Sequence, residues 1–125
     1  MITIWHNPRC SKSRQALTLL EQAGADVTVR RYLEDAPSAA EIEAVRDMLG
    51  LASLRGMLRS GEKTFRELGL TSDSPEPDLL TAMATHPILI ERPIVVAGDR
   101  AVIGRPPEKV GDLLGPEAGR AGTAV

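Results

Sequence analysis

The first thirty residues constrain the fold more than any other stretch of the chain. Met1-Ile2-Thr3-Ile4-Trp5 is short and rich in β-branched and aromatic residues, so it reads as a strand. His6-Asn7-Pro8-Arg9 is turn chemistry, and Ser11 to Ala23 then reads as a helix. Leu17, Leu20 and Ala23 recur at three-residue spacing with Ala16 beside them, and Gly24 suits the C-terminal cap. Val27-Thr28-Val29, followed by Tyr32, reads as a second strand. Strand, helix and strand within about thirty residues make a βαβ unit, two parallel strands joined by a right-handed crossover. The chain is committed to an α/β fold almost from its start.

The middle reads as helical. Ser38-Ala39-Ala40-Glu41 after Pro37 is a capping box, followed by the apolar positions Ile42, Val45, Met48 and Leu49 and closed by Gly50. Ser53 to Arg59 is expected to form a short second helix ended by Gly61. Pro77 opens a third, with Leu79, Leu80 and Met83, which stops before Pro87. Pro93-Ile94-Val95-Val96-Ala97, the turn Gly98-Asp99, and Ala101-Val102-Ile103 read as a hairpin. Pro106-Pro107-Glu108 starts a last helix through Val110, Leu113 and Leu114. From Gly115 on no period survives, so residues 115–125 are expected to be a mobile tail. A chain of 125 residues suits one domain. The expected domain is 1–114, in the order β-α-β, a helical middle, then β-β-α.

Composition narrows the function. There are 15 Lys and Arg against 17 Asp and Glu, a net charge of −2, and aromatics are only 2%: Trp5, Tyr32 and Phe65. A base-stacking module needs an aromatic platform and a basic balance, so no nucleic-acid partner is expected. No apolar run approaches the roughly 20 residues of a membrane span. The N-terminus has no basic start, long apolar stretch or small-residue cleavage site, so the expected location is cytoplasmic.

The chain has one cysteine, Cys10. That excludes an internal disulfide, a CxxC redox pair and a cysteine-rich zinc site, and no metal is expected. An inert buried thiol or a lone nucleophile remains. Cys10 stands where strand gives way to helix, and the first amides of a helix have no intrahelical partners and favour an anion. A thiol at a helix N-terminus or beside cations ionises more readily, and the thiolate is the nucleophile. Arg9, Lys12 and Arg14 flank the position, His6 lies upstream, and Ser11 and Ser13 offer hydroxyls. The polar turn favours the reactive reading, with Ser11, Lys12 and Arg14 as a backbone anion site. A phosphatase-type Cys-x(5)-Arg loop does not fit, because only three residues separate Cys10 from Arg14. Part of any anion site must come from elsewhere in the chain.

His6-Asn7-Pro8-Arg9-Cys10-Ser11-Lys12-Ser13-Arg14 resembles the nucleophile motif of the glutaredoxin-coupled arsenate reductase family. The likeness continues through Leu54-Arg55-Gly56-Met57-Leu58-Arg59 and Phe65-Arg66-Glu67-Leu68-Gly69-Leu70. It runs on through His86-Pro87-Ile88-Leu89-Ile90-Glu91-Arg92-Pro93-Ile94-Val95-Val96 and ends at Ile103-Gly104-Arg105-Pro106-Pro107-Glu108. It spans residues 2 to 114 in order, with the motif spacing intact. The resemblance implies a thioredoxin-like fold with a helical insertion between its two halves, and the element order agrees independently. It implies that Arg59, Arg92 and Arg105 bind the substrate oxyanion, that His6 and Ser13 support the Cys10 thiolate, and that Pro93 follows a cis peptide bond.

The implied activity is reduction of arsenate to arsenite through a covalent Cys10–arsenic intermediate, with no bound cofactor. Glutathione is implied as co-substrate and glutaredoxin as the protein that attacks the mixed disulfide next. A chain with one cysteine cannot resolve the intermediate itself, which agrees. Arg59, Arg92 and Arg105 each sit at an element boundary, where binding residues concentrate, and guanidinium groups grip tetrahedral oxyanions in bidentate fashion. Arg9, Lys12, Arg14, Arg30, Arg31 and Arg55 are weaker candidates and mostly expected to be solvated; His86 is expected to cap a helix. Two other functions stay open. One is a redox-responsive transcriptional regulator of the same fold, which the full arginine set disfavours; the other is a general thiol reductase of another substrate.

Overall fold

The computed structural model describes residues 2–114, so the expected tail at 115–125 lies outside the described residues. In chain order the regular elements are β1 (Ile2–Trp5), α1 (Ser11–Gln22), β2 (Val27–Arg30), α2 (Ala39–Met48), α3 (Lys63–Glu67), α4 (Glu76–Thr85), β3 (Ile94–Ala97) and β4 (Arg100–Ile103). Three 3-10 turns accompany them, at Leu54–Met57, Pro87–Leu89 and Pro107–Val110, the last running into helical residues 111–114. The chain divides into two compact units: residues up to Arg30 with those from Arg92 on, and Arg31–Glu91.

The first unit is a four-stranded sheet in the order β2-β1-β3-β4. β1 and β2 are parallel, as the βαβ pattern requires, and β1–β3 and β3–β4 are antiparallel. Register sorts the side chains. Ile2 pairs with Val27 and Ala97, and Ile4 with Val95, so these apolar residues share one face. Ala16 and Leu20 of α1, with Val110 and Leu113, close a core over Ile2, Ile4 and Val95. On the opposite face Arg30, the register partner of Trp5, lies 5.6 Å above the indole ring. Tyr32 falls outside β2, beyond the last paired residue Arg30. Gly98, at φ +63°, turns the β3–β4 hairpin. Gly104 is required for a different reason. A Cβ there would meet Pro93 Cγ at 2.9 Å and Val110 Cγ1 at 3.2 Å.

The second unit is helical. Ser38 closes the expected capping box: its hydroxyl accepts from the Glu41 N–H at 3.1 Å while the Glu41 carboxylate accepts from the Ser38 N–H at 2.9 Å. α2 packs on α4, and Ile42, Val45, Leu54, Met57, Phe65, Leu79, Met83, Leu89 and Ile90 are all buried. The helix expected over Ser53–Arg59 is only a 3-10 turn, Leu54–Met57. Leu58 leaves it in extended conformation and forms an antiparallel bridge with Ile90. Gly56 and the pull of that bridge favour a single turn over a regular helix. α3 was not anticipated from the sequence, since five residues carry too little period to register. His86 caps α4 through its backbone N–H to Ala82 alone; its side chain makes no cap bond.

Candidate active site

Cys10 sits at the N-cap of α1 with extended backbone angles (φ −95°, ψ 121°), and only 9% of it is exposed. Three bonds shape the turn beneath it. The Cys10 N–H donates to the Asn7 carbonyl at 3.0 Å, the Arg9 N–H to Asn7 Oδ1 at 3.0 Å, and the Arg14 guanidinium to the Pro8 carbonyl at 2.8 Å. Asn7 is therefore the hub of the turn. Its signal was present in the sequence, because Asn before Pro starts such turns.

Behind the turn, His6 Nδ1 and Ser13 Oγ lie 2.6 Å apart, and the same hydroxyl accepts from the Asn7 N–H at 3.0 Å. Both side chains are buried, His6 at 6% exposure and Ser13 at 0%. The His6 N–H continues the β1–β2 pairing by donating to the Arg30 carbonyl at 2.7 Å. His6 is thus joined to α1 through the Ser13 hydroxyl.

The thiol itself is under opposing influences. Burial pushes Cys10 up, yet the net shift is downward from the ordinary thiol value. The Ser13 amide, a hydrogen bond and the positive charge from Arg92, and the Lys12 amide together outweigh burial. Cys10 makes no side-chain cap hydrogen bond of the ordinary kind, and the Ser13 and Lys12 amides favour the thiolate as backbone donors in the first turn. The Arg14 amide is not among them, since it donates to the Cys10 carbonyl at 3.0 Å. Ser11, Lys12 and Arg14 expose their side chains along the same first turn.

The sheet brings Arg92 and Arg105 to one end. Ile94 pairs with Ile103 and with Trp5, and the Gly104 N–H donates to the Pro93 carbonyl at 2.9 Å. The residues flanking the hairpin thus meet beside the end of β1, where the cysteine turn begins. Arg105 Nη1 donates to the Arg92 carbonyl at 3.3 Å. The Nε and Nη1 atoms of Arg92 are buried. Both arginines precede cis prolines; Pro93 was expected to, and Pro106 adds a second case.

Arg59 belongs to the second unit. Its N–H donates to the Leu89 carbonyl at 2.7 Å, and its guanidinium meets Glu62 at 2.8 Å and Glu91 at 3.8 Å. Arg55, one of the weaker candidates, is exposed and tied to Glu76 at 3.0 Å and to the Ser72 carbonyl at 2.9 Å. Glu76 escaped the sequence reading. It draws in Ser53, the Leu54 amide, Arg55 and Arg46, and no short motif announces such a cluster. Among the described residues no group of three or more His, Cys, Asp or Glu side chains is placed to hold a metal. No helix among them is long and apolar enough to cross a membrane.

Comparison with known proteins meets this geometry from the other side. The family model described as the ArsC family matches residues 5–113. An arsenate reductase of Neisseria meningitidis is 48% identical over 114 residues, covering 90% of this chain and 97% of the relative. One of Haemophilus influenzae is 41% identical over 114 residues, covering 90% and 98%. The solved structure of an arsenate reductase from Vibrio cholerae superposes with a TM-score of 0.87 at 47% identity, covering 90% of this chain and 97% of that one. Matched span, identity and superposition agree: the chain belongs to the ArsC family and has its thioredoxin-like fold.

Proposed function

We propose that this protein reduces arsenate to arsenite, with Cys10 as the nucleophile. The observation that carries the reading is the Cys10 sulfur, ionised more readily than an ordinary thiol by helix amides and by Arg92. The arsenate reductases among its relatives support the choice of substrate. In the first step the thiolate attacks arsenic. An S–As bond forms, one As–O bond breaks, and that oxygen leaves as water after protonation, with arsenic still pentavalent. Arg92 and Arg105, with Arg59 from the family motif, hold the negative oxygens; fixed cations aimed at such charge are commonly the largest catalytic contribution.

In the second step an external thiol attacks the Cys10 sulfur. The S–As electron pair passes to arsenic, which leaves as trivalent arsenite, and Cys10 is left in a mixed disulfide. Glutathione is the proposed thiol. Glutaredoxin then frees Cys10 by thiol–disulfide exchange. Ser13 and, through it, His6 position the first turn of α1 under the thiolate. Dependence on glutathione fits a cytoplasmic location, and no cofactor is needed.

The arginines provide the test. Arg92→Ala and Arg105→Ala should each lower kcat/KM for arsenate by about 10- to 100-fold, as expected for lost charge-assisted hydrogen bonds. Cys10 should remain open to alkylation in both variants. Unchanged kcat/KM would overturn the oxyanion assignment, and lost alkylation would reveal a folding defect instead.

A further inference from the structure

Arg59 is assigned to the oxyanion in the reading above, yet its guanidinium already faces two carboxylates. Glu62 Oε2 lies 2.8 Å from Nη1 and Glu91 Oε1 lies 3.8 Å from Nε. A guanidinium offers two bidentate edges, Nε with one terminal nitrogen and the two terminal nitrogens together. One carboxylate stands at each. The backbone fixes this arrangement. The Arg59 N–H donates to the Leu89 carbonyl at 2.7 Å and the Glu91 N–H to the Met57 carbonyl at 2.8 Å, on either side of the Leu58–Ile90 bridge. The Glu62 N–H donates to the Arg59 carbonyl at 3.2 Å, closing a turn that returns Glu62 over Arg59.

Glu62 has an alternative it does not take. It is the N-cap residue of α3, where a carboxylate would ordinarily serve the first amides of the helix, but its side chain makes no cap bond. It turns to Arg59 instead. All three side chains are about three-quarters buried, between 24% and 27% exposed, so solvent screens the pairing only in part.

We propose that Glu62, with Glu91 behind it, is a built-in competitor for the anion at Arg59, so that this arginine takes a substrate oxyanion only by exchanging it for a carboxylate. Glu62 then sets how strongly Arg59 captures an anion. It weakens the capture of every oxyanion at Arg59, inorganic phosphate included, and leaves discrimination to the chemistry at Cys10. This rests on the arsenate reductase reading, which supplies the role of Arg59.

The experiment measures how well inorganic phosphate or arsenate protects Cys10 from iodoacetamide, a readout that needs no reducing partner. In Glu62→Gln, half-protection should come at about two- to fivefold lower anion concentration than in the unsubstituted protein, the range expected for a partly exposed ion pair. In Arg59→Ala protection should weaken, and adding Glu62→Gln to Arg59→Ala should change nothing more. Equal protection in Glu62→Gln and the unsubstituted protein, or an equal gain with and without Arg59, would overturn the competitor role. Failure of any oxyanion to protect the unsubstituted protein would overturn the oxyanion site itself, and so separates the two claims.

Discussion

At Cys10 the balance between burial and local donors decides the chemistry. A thiol so little exposed would ordinarily be inert, and what reverses that is the cluster of Ser13 and Lys12 amides with the Arg92 guanidinium. The rate of alkylation of Cys10 by iodoacetamide should therefore rise with a midpoint below the ordinary thiol value of 9.0, and Arg92→Ala should move that midpoint upward. A midpoint unmoved by the substitution would remove Arg92 from the thiolate's environment. The sign for stability follows by linkage. An acid whose folded-state value is depressed stabilises the fold fully above its unfolded value, and that contribution is lost as pH falls through the folded value. Measured against Cys10→Ser, the protein should thus gain stability as pH climbs toward 9.0.

At the scale of elements, Glu76 at the start of α4 ties down the 3-10 turn that precedes Arg59. It accepts from the Leu54 N–H at 2.8 Å and the Ser53 hydroxyl at 2.7 Å. The Leu54 amide holds the Glu76 carboxyl below its usual value against the effect of burial, helped by Ser53 and the charges of Arg55 and Arg46. Glu76→Gln should cost about 0.5–1.5 kcal/mol in urea denaturation at neutral pH, a range reduced for its partial exposure. The difference should be fully present above the ordinary carboxylate value of 4.5 and fade as pH falls through the lower folded-state value. A difference independent of pH would mean that the charge of Glu76 is idle.

Elements with strong local signals could be read from the sequence: the βαβ start, the Ser38–Glu41 capping box and the Gly98 hairpin. The 3-10 turn at Leu54–Met57 could not, because its apolar residues repeat as in a helix while partners distant in sequence, Glu76 and Ile90, set its conformation.

For the molecule as a whole, the placement of Cys10 at a strand-to-helix turn was visible in spacing alone, but the arginines were not. Arg92 and Arg105 are 13 residues apart, and only the register of β3 against β4 brings them to one end of the sheet. Their proposed role rests on family motifs rather than on any local pattern; Glu62 and Glu76 lie outside both, whereas Asn7 stands in the Asn-Pro turn. The cysteine count bears on the proposal at this scale: with one cysteine, the proposed Cys10–arsenic adduct needs a thiol from outside the chain to release arsenite. The most direct measurement is arsenate-dependent NADPH oxidation in a mixture of this protein with glutathione, glutaredoxin and glutathione reductase. The account predicts oxidation that requires arsenate and glutathione and is abolished by Cys10→Ser; undiminished oxidation with Cys10→Ser would contradict it.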